Sequence, residues 1–193
     1  MLRSLYDWTM NLAAHRHARW GLAGVSFAES SFFPIPPDIL LIPMVLAERR
    51  NWMTLALICT VASIIGGFAG YLIGALLFDQ VAEPILAFYG MDTKFDRFAA
   101  TYNDWGAWAV LVAGVTPFPY KVITILSGAT GLHFGVFMLA SVIARGLRFF
   151  VIAALLWRYG APIRDFIEER LGLVFSLGLA ALIGGFLVIE LGR

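Results

Sequence analysis

Charged residues are scarce in this sequence. Aspartate, glutamate, lysine and arginine make up 14% of the 193 residues, and the formal net charge is +1, whereas soluble domains carry about 25% charged residues. So small a net charge excludes the basic surface that nucleic-acid binding requires. Hydrophobic residues reach 60%, and the mean hydropathy is +0.81. We therefore predict an all-α integral membrane protein with a single membrane domain over residues 1–193.

Cysteine and metal-ligand patterns are also nearly absent. The one cysteine, Cys59, lies within an apolar run, which excludes a disulfide framework and a thiolate metal site. The three histidines do not form a pair with metal-ligand spacing. No serine is accompanied by a general base and its orienting group. The sequence therefore predicts neither a cofactor nor a metal, and it does not predict an enzyme.

The N-terminal residues lack the apolar core and small-residue cleavage site of a signal peptide, so we expect the chain to retain them. Apolar residues recur there at helical spacing, and Arg16, His17 and Arg19 follow. This pattern predicts an interfacial helix over residues 1–19 whose basic side chains reach toward the head groups. A cytoplasmic tail is the alternative.

A proline cluster interrupts the first apolar stretch, between an acidic residue, Glu29, and a second one, Asp38. Proline breaks a helix and restricts the residue before it, so this cluster predicts a non-helical corner. The apolar arms, Trp20–Ala28 and Ile39–Ala47, would each form roughly 13 Å of helix, half of a hydrocarbon core roughly 30 Å thick. We predict a re-entrant hairpin with a polar site at its corner. The corner prolines are Pro34, Pro36 and Pro37.

A second interrupted stretch, Ala107–Thr130, resembles the first. Its prolines, Pro117 and Pro119, have the same spacing, and the overlay sets Lys121 opposite Asp38. Each hairpin precedes one long apolar run, so each unit crosses the membrane an odd number of times and the second must be inverted. This pattern predicts two inverted repeats, over residues 20–78 and 106–157, as in secondary transporters. The alternative is that the prolines merely kink two ordinary spans.

Two uninterrupted apolar runs are long enough to cross a bilayer with some tilt. The first, Met53–Phe78, carries glycines at four-residue spacing, which leaves one helix face open to close packing. The second, Leu132–Trp157, contains two arginines that are functional candidates because charge is costly at mid-bilayer. The packing glycines are Gly66, Gly70 and Gly74.

The remaining segments predict surface and terminal elements. Residues 79–105 are the most polar part, with aromatic residues at helical spacing, and predict an amphipathic connector. Residues 158–193 predict an interfacial helix at 160–170 and a last span at Leu171–Ile189. In this topology most arginines of the short loops lie on the same side of the membrane as the N-terminus. The positive-inside rule therefore predicts a cytoplasmic N-terminus.

Five ionisable residues are predicted to lie within the membrane. Three cations and two carboxylates from different repeats would meet near the centre, and the cations suit an anionic head group such as phosphate. Desolvation favours the neutral form of a carboxylate, so either acid is a candidate proton carrier. The alternative is that these residues only neutralise one another in structural ion pairs. They are Glu29, Asp38, Lys121, Arg145 and Arg148.

Four segments together resemble the DedA family, whose shared region is also called the VTT or SNARE-associated Golgi domain. They are FAESSFFPIPPDILL, GGFAGYLIG, TPFPYKVITILSGATG and ARGLRFF, and the similarity extends over roughly residues 20 to 160. The resemblance implies a bacterial inner-membrane protein with two inverted re-entrant hairpins that moves lipids across the bilayer, with proton coupling proposed. It also places Glu29 at the family's acidic hairpin position.

The sequence departs from the family pattern at three positions and looks like its short, divergent YqaA-like branch. Gly67 stands where the family usually has Asp, and Gly114 and Tyr120 stand where it usually has Arg. Lys121 is adjacent to the last of these positions. The arginines of the ARGLRFF segment are candidates for supplying the displaced positive charge.

Our leading hypothesis is a transporter or scramblase for an anionic lipid, either a polyprenyl phosphate or a phospholipid. Its partners would be membrane lipids, and a homo-oligomer remains open. The second hypothesis is a proton- or ion-coupled transporter of a small soluble solute. The third is a membrane assembly factor, which would move no substrate.

Overall fold

A computed structural model describes residues 17–33, 35–88, 92–116 and 118–160. These residues form helices joined by short turns, with no strand among them, as predicted. The helices are α1 (Ala18–Ser31), α2 (Asp38–Ala47), α3 (Trp52–Leu77), α4 (Glu83–Phe88), α5 (Asp92–Asp104), α6 (Gly106–Val115), α7 (Tyr120–Ala129) and α8 (Phe134–Gly160). A 3-10 turn, Arg49–Asn51, leads into α3, and a π-helical turn, Phe78–Ala82, follows it.

Two helical stretches, Arg49–Leu77 and Phe134–Gly160, are long and apolar enough to cross a membrane. They correspond to the two predicted spans within a few residues at each end. The helices run antiparallel, because Trp52 stacks on Trp157 with 5.7 Å between ring centroids while the Tyr71 hydroxyl donates to the Leu132 carbonyl over 2.7 Å. The start of α3 therefore lies beside the end of α8.

Both proline segments interrupt helices, as their composition dictates. Helix α1 ends at Ser31 and α2 begins at Asp38, directly after Pro37. Helix α6 ends at Val115 and α7 begins directly after Pro119. Helices α2, α6 and α7 have 10 residues each, or roughly 15 Å of length. Each is about half as long as a hydrocarbon core is thick.

A contact joins the far ends of each proline segment, in the second case through α5, the helix directly before α6. Arg19 near the start of α1 forms an ion pair with Glu48 directly after α2, with 3.5 Å between the charged atoms. Asn103 at the end of α5 donates to the carbonyl of Thr130 directly after α7, over 2.7 Å. The first contact lies toward the Trp52 end of α3, and the second lies toward the start of α8. The two proline segments therefore close at opposite ends of the α3–α8 pair.

Apolar side chains form two clusters, one toward each of these ends. The first is contributed by α1, α2, α3 and the C-terminal half of α8, with Leu41, Val45 and Phe149 fully buried. The second is contributed by α5, α6, α7 and the N-terminal part of α8, with Val110 and Phe137 fully buried. The polar part of the interior lies between the two clusters.

Glycines bring the backbones of α1, α3 and α7 into close contact. A side chain at Gly66 would collide with the Phe27 carbonyl of α1, and one at Gly74 would collide with the Ile125 carbonyl of α7. Between them, Gly70 faces Thr124. The small residues therefore set how closely α3 approaches the helices of both proline segments.

Several sequence predictions lie outside the described residues. They include Pro34, Pro117, the helix at 160–170 and the last span, and most of the N-terminal interfacial helix. Two boundaries differ from the prediction. Residues Ala18 and Arg19 begin α1 rather than ending a separate helix, and the connector is divided into a π-helical turn, α4 and α5.

We expect Gly74→Ala to lower the free energy of unfolding by about 1–3 kcal/mol, because the added methyl group overpacks the α3–α7 contact. Gly24→Ala is the matched control, since Gly24 is exposed on α1 with no atom within 4 Å of an added Cβ. That change should be neutral or stabilising by about 0.5–1 kcal/mol, because alanine favours the helix. Unfolding in detergent measures both variants, and equal unfolding midpoints would contradict the prediction.

Candidate functional site

A band of polar side chains lies in the interior between the two apolar clusters. Most members are hydroxyl residues, which pack at the depth where the glycines of α3 cross α1 and α7. Its one fully buried charged residue among those the structure describes is Arg145, whose exposed fraction is 1%. The buried hydroxyl residues are Ser26, Ser30, Ser31, Thr60, Ser63, Thr124, Ser127 and Ser141.

The side chain of Arg145 on α8 contacts polar and aromatic side chains. Its Nη2 donates to Oε2 of Glu29 over 2.6 Å, and its Nε donates to Oγ of Ser63 over 2.6 Å. The guanidinium carbon lies 4.7 Å from the ring centroids of both Tyr120 and Phe149. These partners compensate for the desolvation of a buried cation. They also fix its orientation.

Arg148 lies three residues further along the same face of α8 and joins the two proline corners. Its Nη2 donates to Oδ2 of Asp38 over 2.5 Å, and its Nη1 donates to the carbonyl of Thr116 over 2.6 Å. Asp38 directly follows the first corner, and Thr116 directly precedes the second. One guanidinium therefore ties together two segments that lie far apart in the sequence.

The two ion pairs differ in how completely they are enclosed. The side chains of Arg145 and Glu29 are 1% and 12% exposed, whereas those of Arg148 and Asp38 are 13% and 21% exposed. The Arg148–Asp38 pair is therefore the more open of the two. Among the described residues, Arg148 Nε and Asp38 Oδ1 are buried and lack hydrogen-bond partners, so this pair also retains an unused donor and an unused acceptor.

Helix ends act on the two carboxylates in opposite ways. Asp38 is the first residue of α2, where the positive end of the helix dipole attracts its negative charge. Glu29 lies in the last turn of α1, where the dipole disfavours negative charge. Glu29 compensates with hydrogen bonds from Arg145 and from Ser30 Oγ, the latter over 3.1 Å. Glu29 therefore depends more on its arginine than Asp38 does.

Lys121 does not enter either ion pair. It is the second residue of α7 and half-buried, and its side chain forms no ion pair with any residue that the structure describes. Four of the five predicted membrane charges are thus paired, Glu29 with Arg145 and Asp38 with Arg148. The overlay placed Lys121 opposite Asp38 in the repeat pattern, but Arg148 is the actual partner of that carboxylate.

The sequence analysis missed several members of the site. Thr116 contributes through its backbone carbonyl, so no side-chain pattern could have marked it. Ser30 was considered only as a candidate nucleophile and Ser63 was not singled out, yet their hydroxyl oxygens lie 2.6 Å apart beside Arg145. Tyr120 is fully buried beneath Arg145 and hydrogen-bonds to Ser141. Its signal was its position, where the related pattern has an arginine.

The VTT domain matches residues 35–158 of this chain. This range includes three of the four residues of the ion pairs, and Glu29 lies just before it. The chain belongs to the DedA family. It is 37% identical over 169 residues to an uncharacterized protein of Haemophilus influenzae, an alignment that covers 86% of this chain and 88% of that protein. A homologue in Histophilus somni is 38% identical with the same coverage.

A more distant relative in Methanocaldococcus jannaschii, also uncharacterized, is 27% identical over 129 residues, or 67% of this chain and 78% of that protein. No solved structure matches the chain significantly. Membership of the DedA family, together with the two long apolar helices, makes this a membrane protein.

The three departures from the DedA pattern converge on one aromatic ring. A Cβ at Gly67 would lie 3.6 Å from one edge of Tyr120, and a Cβ at Gly114 would lie 3.4 Å from the other. Arg145 covers the face of the same ring. One tyrosine therefore fills the space beside both glycines, and an arginine from α8 supplies the positive charge over it.

We expect Arg145→Met to lower the free energy of unfolding by about 3–5 kcal/mol, because it leaves the enclosed Glu29 carboxylate without its cation. Arg148→Met should lower it less, because Asp38 is more exposed and lies at a helix N-terminus. The double variant Glu29→Gln/Arg145→Met should regain part of the loss. Unfolding in detergent compares the three, and equal effects of the two single changes would contradict the difference in enclosure.

Proposed function

We propose that this DedA protein moves an anionic lipid across the bilayer as a transporter or scramblase, with a polyprenyl phosphate or a phospholipid as its substrate class. The observation that carries the proposal is the position of Arg148. Its guanidinium joins both proline corners, remains partly exposed and retains an unused donor. Arginine binds phosphate well because its planar fork matches the phosphate oxygens.

The proposed architecture is a pair of inverted re-entrant hairpins. Each proline segment has helices about half as long as a bilayer core is thick. Contacts at Arg19–Glu48 and at Asn103–Thr130 bring the far ends of each segment together, at opposite ends of the antiparallel α3–α8 pair. This arrangement supports hairpins that enter from opposite faces and meet at their corners. The protein would lie in the bacterial inner membrane as a multi-pass protein with a cytoplasmic N-terminus.

Substrate binding would exchange the partners of Arg148. A phosphate oxygen of the head group replaces the Asp38 carboxylate or the Thr116 carbonyl, and the unused Nε supplies a further donor. Lys121 follows the second corner without an ion partner among the described residues, so it adds attraction for the same anion. The lipid tails stay in the bilayer, because the corners lie beside the apolar surface of the helices.

Asp38 would compete with the substrate for Arg148. The N-terminus of α2 and Arg148 both stabilise its negative charge, so the resting pair is closed. A phosphate group must therefore displace this carboxylate to reach the guanidinium. Glu29 would serve mainly to hold Arg145, which in turn positions the α8 face that carries Arg148.

We expect Arg148→Gln to slow the exchange of anionic lipid by about tenfold or more, because charge-assisted hydrogen bonds to phosphate are lost. Proteoliposomes with fluorescent phosphatidylglycerol or phosphatidylcholine and an external quencher measure leaflet exchange. The control is Arg158→Gln, since Arg158 lies on the same helix but is exposed over the Tyr159 ring. Wild-type exchange rates in Arg148→Gln would remove the proposed role.

No exchange of either lipid by the wild-type protein in intact vesicles would reject the lipid proposal. Solute flux that follows a pH gradient would then favour a transporter of a small soluble solute. A stable co-purifying partner without flux would favour a membrane assembly factor.

We expect Asp38→Asn to accelerate the exchange of anionic lipid severalfold, because the neutral amide competes less well than a carboxylate with phosphate for Arg148. Leaflet exchange by the two proteins in the same vesicles provides the measurement. An unchanged or lower rate in Asp38→Asn would contradict the proposed competition.

A further inference from the structure

An apolar groove runs beside the second proline corner, along α6 and across to α7. It has a volume of about 420 Å³ and opens widely to the surroundings of the protein. Its lining is almost entirely apolar, and two of its tryptophans are 64% exposed. Lining residues include Trp105, Trp108, Val112, Thr116, Phe118 and Ile123.

The groove extends over about half the thickness of a bilayer. Its outer end is at Trp105, before the first residue of α6, and its inner end is at Thr116, directly after the last. Eleven residues of helical rise correspond to roughly 16 Å, against a hydrocarbon core roughly 30 Å thick. Exposed tryptophans are typical of the membrane–water interface. The outer end therefore suits the interface and the inner end suits the membrane interior.

The inner end of the groove coincides with the proposed head-group site. Thr116 lines the groove, and its carbonyl accepts the hydrogen bond from Arg148 over 2.6 Å. A ligand with a phosphate at Arg148 would thus have its apolar part directly at the mouth of the groove. The volume also lies within the range of about 300–1,000 Å³ that is usual for ligand pockets.

We propose that this groove binds one hydrocarbon chain of the anionic lipid whose head group occupies Arg148. The inference rests on the proposed function, and it deepens it by assigning a separate site to the lipid tail. A lipid bound in this way has its head group at the corner and its tail along α6, as expected part-way through crossing the membrane. The tail site would make exchange sensitive to the shape of the groove as well as to charge.

The test uses phosphatidylglycerol and phosphatidylcholine that carry the same photoreactive diazirine on one acyl chain. Each probe is incorporated at a low fraction into phosphatidylcholine vesicles containing the full-length protein. We expect the phosphatidylglycerol probe to label residues 105–123 about tenfold more than the phosphatidylcholine probe, because both carry a phosphate but the choline cation of the second is repelled by Arg148 and Lys121. Arg148→Gln should remove this preference.

Filling the groove provides the second arm. Val112→Trp should lower labelling of residues 105–123 by the phosphatidylglycerol probe severalfold, because Val112 lines the groove and is 59% exposed. Val61→Trp is the matched control, since Val61 is 47% exposed on α3 and does not line the groove. It should leave labelling unchanged. The comparison of the two probes is made in the wild-type protein, so it remains decisive if Val112→Trp fails to fold.

Equal labelling by the two probes would mean that ordinary bilayer lipid covers the groove, and it would overturn the inference. Absence of labelling at residues 105–123, as expected if a helix of a second copy fills the groove, would overturn it as well. Leaflet exchange measured on the same vesicles judges the proposed function separately. Selective labelling without leaflet exchange would support the tail site and reject transport. Leaflet exchange without selective labelling would support transport and reject the tail site.

Discussion

The structure depends on two arginines that lie one turn apart on α8, inside an apolar environment. A cation there is tolerable only when it is paired and hydrogen-bonded, so each arginine requires a carboxylate and further acceptors. Arg145 takes them from α1 and α3, and Arg148 takes them from both proline corners. One of these acceptors, the Thr116 carbonyl, is available because a helix end leaves backbone groups unpaired. The arginines of α8 therefore need the helix breaks that the prolines create.

The two arginines have different roles despite their similar sequence context. Arg145 lies between two aromatic rings and forms hydrogen bonds to buried partners, so moving it would break several interactions at once. Arg148 has fewer partners, greater exposure and an unused donor. Exchange of a partner is physically easier at the second site, because solvent or a head group can compensate for the lost bond. A rigid pair beside an exchangeable pair suits a protein that must keep its fold while a charged ligand passes.

Local patterns allowed much of the fold to be predicted. The prolines predicted both helix breaks, and uninterrupted apolar runs predicted α3 and α8. Two acidic residues beside the first proline cluster and two arginines within the second run marked four members of the site. Which carboxylate pairs with which arginine was not predictable, because Glu29 and Arg145 are separated by 116 residues in the sequence and Asp38 and Arg148 by 110. Only the packing of the helices brings these residues together. Lys121 forms no ion pair among the described residues, because α8 carries both arginines that pair with the carboxylates.

Close packing by glycine connects the fold to the proposed chemistry. Helix α3 touches the backbones of α1 and α7 at Gly66 and Gly74, and these contacts hold both proline segments against the same helix. In this arrangement one arginine side chain reaches both corners. A ligand that takes Arg148 away from Asp38 or Thr116 would loosen the link between the corners while leaving the glycine contacts intact. Movement during the proposed substrate passage would therefore be concentrated at the corners rather than at the glycine contacts.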